Sequence, residues 1–300
     1  TVRLILGDQL HYGHSWFGEV SNAVVYVFME VRQETDYTRH HIQKILSIFG
    51  AMRRFASHLE SAGHQVRYLK LTDNDNKQSI PDNLQAIFEA EQASHFEYLL
   101  PDEYRLDAQL HAYGESLTIS CEAVDTEHFL SSRDEPATFF KGSKTWLMER
   151  FYRHMRKQYN VLMQGSEPAG DQWNFDADNR NRYDGEVSIP APLSWNHDLE
   201  DLKEMVDAAG VDYIGKVEAS RVNWPLTREE ALEQLDWFVQ EALPYFGTYQ
   251  DAMAREEWTL FHSRLSFALN VKMLSPLEVI KAAEQAWQES QRFIQGILDA

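Results

Sequence analysis

Cysteine is almost absent: Cys121 is alone among 300 residues. That excludes an intrachain disulfide and an all-cysteine metal cage built from these residues, and it fits a reducing compartment, so a cytoplasmic location is expected. Positive charge is scarce too. The 28 Lys and Arg face 47 Asp and Glu, a formal charge of -19. A surface that coats a polyanion as a whole is thereby excluded, because nucleic-acid affinity comes from cations displacing counterions from phosphates. Any contact with DNA must be a local patch. Long hydrophobic runs are missing, and the N-terminal TVRLILGDQL turns polar early and has no signal-peptide cleavage pattern, so no membrane is expected. Phosphate loops are missing as well: there is no GxGxxG, and GSKT at 142–145 lacks the upstream glycine of a Walker sequence. No GxSxG elbow marks a serine hydrolase.

What is present can fill a core: 43% of residues are hydrophobic and 12% aromatic, enough for one large domain or two ordinary ones. VRLILG, AVVYVFMEV, QVRYLKL, HFEYLLP and LTISCEAV read as strands. HHIQKILSIFGAMRRFASHLESAG has helical spacing and stops at Gly63. Strand, helix and strand in this order predict a doubly wound parallel sheet over residues 1–130. TWLMERFYRHMRKQYNVLM reads as a long basic, aromatic helix, followed by a connector rich in Gly, Pro, Asn and Asp; together they occupy residues 131–197. Residues 198–300 read as all-α, with EEALEQLDWFVQEALPYF the clearest helix. The last helical pattern is still in register at Leu298 with no cap after it, so further chain is expected beyond this point.

Several groups could carry chemistry. Asp8 and Gln9 follow the first strand and Glu30 the second, at the carboxyl ends where open α/β sheets bind ligands. The alternative is that Asp8 and Gln9 cap a turn. His11, His14, His40 and His41 lack a partner at metal-ligand spacing and read as surface or packing residues, and Cys121 as a small buried hydrophobe. Lys141, Lys144, Arg150, Arg153, Arg156 and Lys157 interleave with Phe139, Phe140, Trp146, Phe151 and Tyr152. Two readings stand: a phosphate-contacting surface, or an amphipathic helix whose arginines pair with carboxylates. Trp173 and Phe175 are read as pinning the connector to the protein body. FHSRLSFALNVKMLSP, residues 261–276, reads as an apolar helix with Ser263, Ser266 and Asn270 on one face and Arg264 beside them.

LILGDQL, HHIQKI with AMRRFASHL, DEYRLD, MERFYRHMRK, QWNFDADNR, FGTYQDAM and HSRLSFALN, in this order across almost the whole chain, resemble the cryptochrome/photolyase superfamily. The likeness is to its iron-sulfur bacterial branch, the deoxyribodipyrimidine photolyase-related proteins, which include prokaryotic (6-4) photolyases. In the general flavin motif Thr-Ser-Arg-Leu-Ser, the threonine is replaced here by His262, as suits this branch. The resemblance implies an N-terminal antenna domain, a linker and the start of an all-α FAD domain. It also implies light-driven repair of (6-4) photoproducts in UV-damaged DNA by electron transfer from reduced FAD, in a monomer. It assigns FAD to Tyr249, His262, Ser263, Arg264, Leu265 and Ser266, and a 6,7-dimethyl-8-ribityllumazine antenna to Asp8, Gln9, Leu10 and Glu30. It tips residues 141–157 toward DNA. The iron-sulfur cluster and the catalytic residues are expected beyond Ala300, so this chain alone is expected to be inactive and its FAD motif empty. A blue-light photoreceptor of the same branch and a flavin-free binding module on the α/β domain are the alternatives.

Overall fold

The computed structural model describes residues 1–173 and 179–298, with no side-chain description from 291 onward; Phe175 and the chain end after Leu298 lie outside the described residues. The five β-branched, apolar runs form β1 (Val2–Leu4), β2 (Val25–Met29), β3 (Gln65–Leu69), β4 (His95–Leu99) and β5 (Ser120–Val124). They pair in parallel in the order β3-β2-β1-β4-β5. Side chains alternate across such a sheet. Val27, Met29, Leu69, Phe96 and Tyr98 therefore share one core with Ile80, Leu84 and Ile87 of α3 (Ile80–Ala90) and Leu106 and Leu110 of α4 (Tyr104–Ser116). Phe28, on the other side, meets Phe55 of α2 (Ile42–Ser61) edge-on at 6.0 Å. α2 buries Ile42, Ile45, Leu46, Phe49, Met52, Phe55 and Leu59, the three-four spacing of one apolar face. Helices on both faces make the doubly wound sheet expected from the sequence.

The chain clusters into two compact units: Thr1–Glu127 with Ser194–Ala231 and Phe267–Met273, and His128–Leu193 with Leu232–Ser266 and Leu274–Ala300. The boundary thus differs from the one expected near residue 198. In the first unit α7 (Glu200–Ala208) buries Leu202 and Val206. Gly50 on α2 admits the neighbouring chain: a Cβ there would meet Leu226 Cδ1 at 3.2 Å and Leu199 Cδ1 at 3.4 Å. Short α1 (Arg32–Asp36) follows β2. His41 caps α2, its Nδ1 accepting from Gln43 N at 3.2 Å, which settles it as a structural residue.

In the second unit α5 (Glu135–Phe139) and α6 (Met148–Tyr159) precede a small antiparallel ribbon, β6 (Met163–Gln164) with β7 (Glu167–Pro168). The long helix read through Met163 stops at Tyr159 because Asn160 and Leu162 take φ of 54° and 47°, a left-handed helix end. α8 (Arg228–Trp237), which begins in the first unit, passes into five residues of π-helix, Phe238–Ala242, before α9 (Leu243–Tyr249). Pro244 explains the widening, since it offers no N–H and its ring would clash with a regular preceding turn. The helix expected over 261–276 is likewise broken. Only α10 (Ser266–Asn270) forms, because Leu260, Arg264 and Lys272 adopt φ of 44°, 57° and 65°. α11 (Pro276–Leu298) then starts from a reciprocal cap: Ser275 N donates to Glu278 Oε2 at 2.8 Å and Glu278 N to Ser275 Oγ at 3.3 Å.

Candidate functional site

β1 has β2 on one side and β4 on the other, so the crossovers diverge at its carboxyl end, the position where an open α/β sheet leaves a crevice. A cavity of about 400 Å³ opens there. Gly7 and Asp8 after β1, Asp102 and Arg105 beyond β4, Glu34 and Tyr37, and Asn270 contribute to its wall, with Ile45, Phe49 and Met52 of α2 as its apolar side. Arg105 grips Glu34 through two bonds of 3.1 and 2.9 Å and lies 4.3 Å over the Tyr37 ring. Asp102 Oδ2 takes a 2.6 Å bond from Lys272 Nζ, whose side chain is 1% exposed and which also donates to the Asp8 carbonyl at 2.8 Å. Burial pushes the Asp8 carboxyl above its ordinary range, Lys272 opposes this, and Asp102 and Glu34 reinforce it. His40, 3.4 Å from Lys44 Nζ, is held low by burial and by that ammonium. The cavity therefore combines a flat aromatic, an apolar wall and an acid that stays protonated more readily than usual, a set that suits a polar heterocycle.

Of the antenna residues named from the sequence, Asp8 lines this cavity; Gln9, Leu10 and Glu30 do not. Gln9 is buried and ties loops together, its Oε1 accepting from Leu6 N at 2.9 Å and its Nε2 donating to Leu99 O at 3.1 Å. Leu10 is wholly buried, its amide bonded to Val271 O at 2.9 Å. Glu30 is fully buried among four donors: Arg53 Nε at 2.7 Å and Nη2 at 2.9 Å, Tyr68 OH at 2.8 Å and Leu71 N at 3.0 Å. Placement at a strand end is thus not convergence on one site, because each side chain also answers the demands of its own loop. The same strand-end rule applied to HFEYLLP would have found Asp102, whereas Lys272 and Asn270 arrive from far along the chain with no local signal.

Residues 261–270, of which the resemblance assigns 262–266 to FAD, form a turn followed by a short helix. Leu265 is buried, and Arg264 Nη1 donates to Leu193 O at 3.0 Å while its guanidinium lies 5.1 Å over Trp258. Ser263 Oγ accepts from Leu265 N at 3.4 Å, and Ser263 O from Gln234 Nε2 at 3.1 Å. His262 and Ser266 are exposed. Tyr249 stacks on Phe261 at 5.2 Å. Ser263 no longer shares a helix face with Ser266, because the left-handed Arg264 stands between them. Exposed hydroxyl and imidazole groups on a turn braced by Leu265 and Arg264 are donors that fit a phosphate.

The basic segment divides. Arg156 is buried and serves the fold, donating to Leu162 O at 2.7 Å and Val161 O at 3.2 Å. Arg153 pairs with Glu149 at 2.8 Å, and Arg153, Arg156 and Lys157 surround the Trp173 ring at 5.1–5.3 Å. Trp173 thereby pins its end of the connector. Lys141, Lys144, Arg150, Arg153 and Lys157 are exposed, as are Trp146 and Tyr152. The pairing of Arg153 with Glu149 and the burial of Arg156 fit the amphipathic-helix reading.

His14 acts structurally. His14 Nδ1 accepts from Trp16 N at 3.1 Å and its Nε2 lies 2.9 Å from Asp125 O. Among the described residues, His95, Glu97 and Glu122 bring ligand-type atoms within 4.8 Å of one another, but Arg3 Nε already bonds Glu97 at 2.5 Å, which makes this a cross-strand ion-pair ladder. Cys121 is half-buried, with its thiol pushed up by burial. No described helix is long and apolar enough to cross a membrane.

A sequence model of the deoxyribodipyrimidine photo-lyase-related protein family matches residues 3–222. The chain is 35% identical over 289 residues to a (6-4) photolyase of Agrobacterium fabrum, covering 95% of this chain and 57% of that protein. It is 20% identical over 162 residues to uncharacterized protein R852 of Acanthamoeba polyphaga mimivirus, covering 51% of this chain and 78% of that one. The fold resembles the crystal structure of a bacterial class III photolyase from Agrobacterium tumefaciens, with a TM-score of 0.53 at 15% identity over 97% of this chain and 53% of the other. The chain thus spans little more than half the length of the photolyases it matches.

Proposed function

We propose, because the chain belongs to the deoxyribodipyrimidine photolyase-related family, that it serves light-driven repair of pyrimidine (6-4) photoproducts in DNA. The likeness to a (6-4) photolyase along 95% of the chain carries this reading. In it, the first unit holds an antenna pigment, 6,7-dimethyl-8-ribityllumazine, in the β1/β4 cavity. Asp8 meets the heterocycle, Tyr37 and the apolar side of α2 exclude water from it, and Glu34 stays fixed by Arg105. In the second unit His262, Ser263 and Ser266 meet the phosphates of FAD, Leu265 and Arg264 brace the turn that presents them, and Tyr249 flanks it. FAD, when bound and reduced, supplies the electron for repair. Lys141, Lys144, Arg150, Arg153 and Lys157 hold the DNA backbone, while Arg156 holds the helix that carries three of them. A lesion unstacks more easily than an intact base, which favours its extrusion from the duplex.

The test is photorepair of an oligonucleotide carrying one (6-4) photoproduct by the protein expressed from its whole reading frame. Light-dependent loss of the lesion is expected. Binding of damaged DNA without turnover would replace this reading by a photoreceptor, and purified protein that takes up no flavin would replace it by a flavin-free binding module.

A further inference from the structure

We propose that Lys272 is the positioning residue of the β1/β4 cavity, and that its internal engagement leaves a site for an uncharged heterocycle and against the phosphate ester of that heterocycle. The ligand class rests on the reading of this cavity as a pigment site; the role of Lys272 does not. Lys272 is not among the residues lining the cavity. Its ammonium sits behind the wall and bonds at once to the Asp8 carbonyl at 2.8 Å and to Asp102 Oδ2 at 2.6 Å. One buried cation therefore ties the loop after β1 to the loop after β4, the two loops whose acids face the ligand. A buried ammonium persists only when paired and hydrogen-bonded, so the loops close around it. Its backbone φ of 65° is a conformation that residues with side chains rarely adopt, and it aims the side chain at these partners.

The charge inventory of the wall follows. Arg105 is held in a fork by Glu34, and Glu103 accepts the Arg105 and Leu106 amides at 2.9 and 3.0 Å. Lys44, beside His40, is the other Lys or Arg among the described lining residues. The Asp8 carboxyl draws no hydrogen bond from another described side chain; burial acts on it most, the Lys272 charge opposes that, and the charges of Asp102 and Glu34 add to it. A ligand N–H finds a partner in Asp8. A phosphate dianion would sit among Asp8, Glu34 and Asp102 with the Arg105 fork already engaged, and the exposed Lys44 at the wall would be the one lining ammonium left to offset them.

Fluorescence titrations with 6,7-dimethyl-8-ribityllumazine, riboflavin and FMN test the ligand class. The wild-type protein should bind the lumazine, and should bind riboflavin at least tenfold more tightly than FMN. K272M should weaken lumazine binding at least tenfold, and K272M/D102N should lose less than the product of the two single losses, since the pair acts as a unit. Hydrogen exchange without ligand gives the separate readout: in K272M the amides of residues 6–9, 100, 102 and 103 should exchange at least tenfold faster while those of α3 and α7 keep their rates. Unchanged loop exchange, or acceleration everywhere alike, overturns the positioning role. FMN binding as tight as riboflavin overturns the charge argument. Failure of the wild-type protein to bind any of the three overturns the pigment reading and the ligand class with it, and loop exchange still decides the role of Lys272.

Discussion

Replacing Glu30 separates a structural carboxylate from a ligand-binding one. Its side chain is 0% exposed, and Arg53, with 29% exposure, supplies two of its four hydrogen bonds. Burial and the Glu30 charge push the Tyr68 phenol well above its usual range, so Tyr68 remains a donor throughout the working pH range. Removing one member of a buried ion pair costs about 3–5 kcal/mol, because the other charge is left without compensation. Water reaches Arg53 in part, so Glu30→Ala should fall at the lower end, about 3 kcal/mol. Glu30→Gln keeps the volume but turns an amide toward donors and weakens two charge-assisted bonds; about 2 kcal/mol is expected. Because the chain forms two compact units, a single unfolding free energy is not well defined, and hydrogen exchange at the β2 and β3 amides is the better assay. A loss of 3 kcal/mol corresponds to exchange about a hundredfold faster. If Glu30→Gln left these rates within twofold of wild type and yet cut lumazine binding tenfold, the carboxylate would belong to the ligand and the network reading would be wrong.

Asp8→Asn should raise stability at pH 7–8. The folded state holds the proton of this acid above the ordinary value of 3.8, so wild-type stability falls as pH rises from there, and the advantage of the amide should vanish once denaturation is followed below about pH 4. Gly114→Ala places a Cβ 2.8 Å from Cys121 Sγ, and overpacking should cost about 1–3 kcal/mol; Cys121→Ala in the same chain should restore most of it, as read by hydrogen exchange at the β4 and β5 amides, and no rescue would mean the clash lies elsewhere. Removing the exposed Lys141, Lys144 and Arg150 together should reduce the salt dependence of DNA binding by about 2.7 in log–log slope, whereas an unchanged slope would take these residues off the DNA.

The sheet was legible because each strand is a compact apolar, β-branched run bounded by turn residues, and α2 because its apolar face repeats every three or four residues. Broken helices were harder to read. Residues 261–276 have a helical pattern, yet Arg264 and Lys272 take left-handed backbone that tertiary contacts impose and local propensity opposes. Asp8 was visible from its place after a strand. That Gln9 and Glu30 turn into their own loops depends on partners such as Leu99 and Arg53, and Lys272 depends on an acid 170 positions earlier. Pattern within a window reveals which residues are buried, but not which distant group meets them.

That separation also sets a clock on synthesis. A ribosome adding about 5–20 residues per second needs roughly 10–30 s to pass from Asp102 to Lys272. Once β5 has emerged the sheet has all five strands but still lacks the cation that joins the loops after β1 and β4. The nascent first unit therefore waits with an open, acidic cleft, and the β1/β4 cavity is among the last parts of it to close.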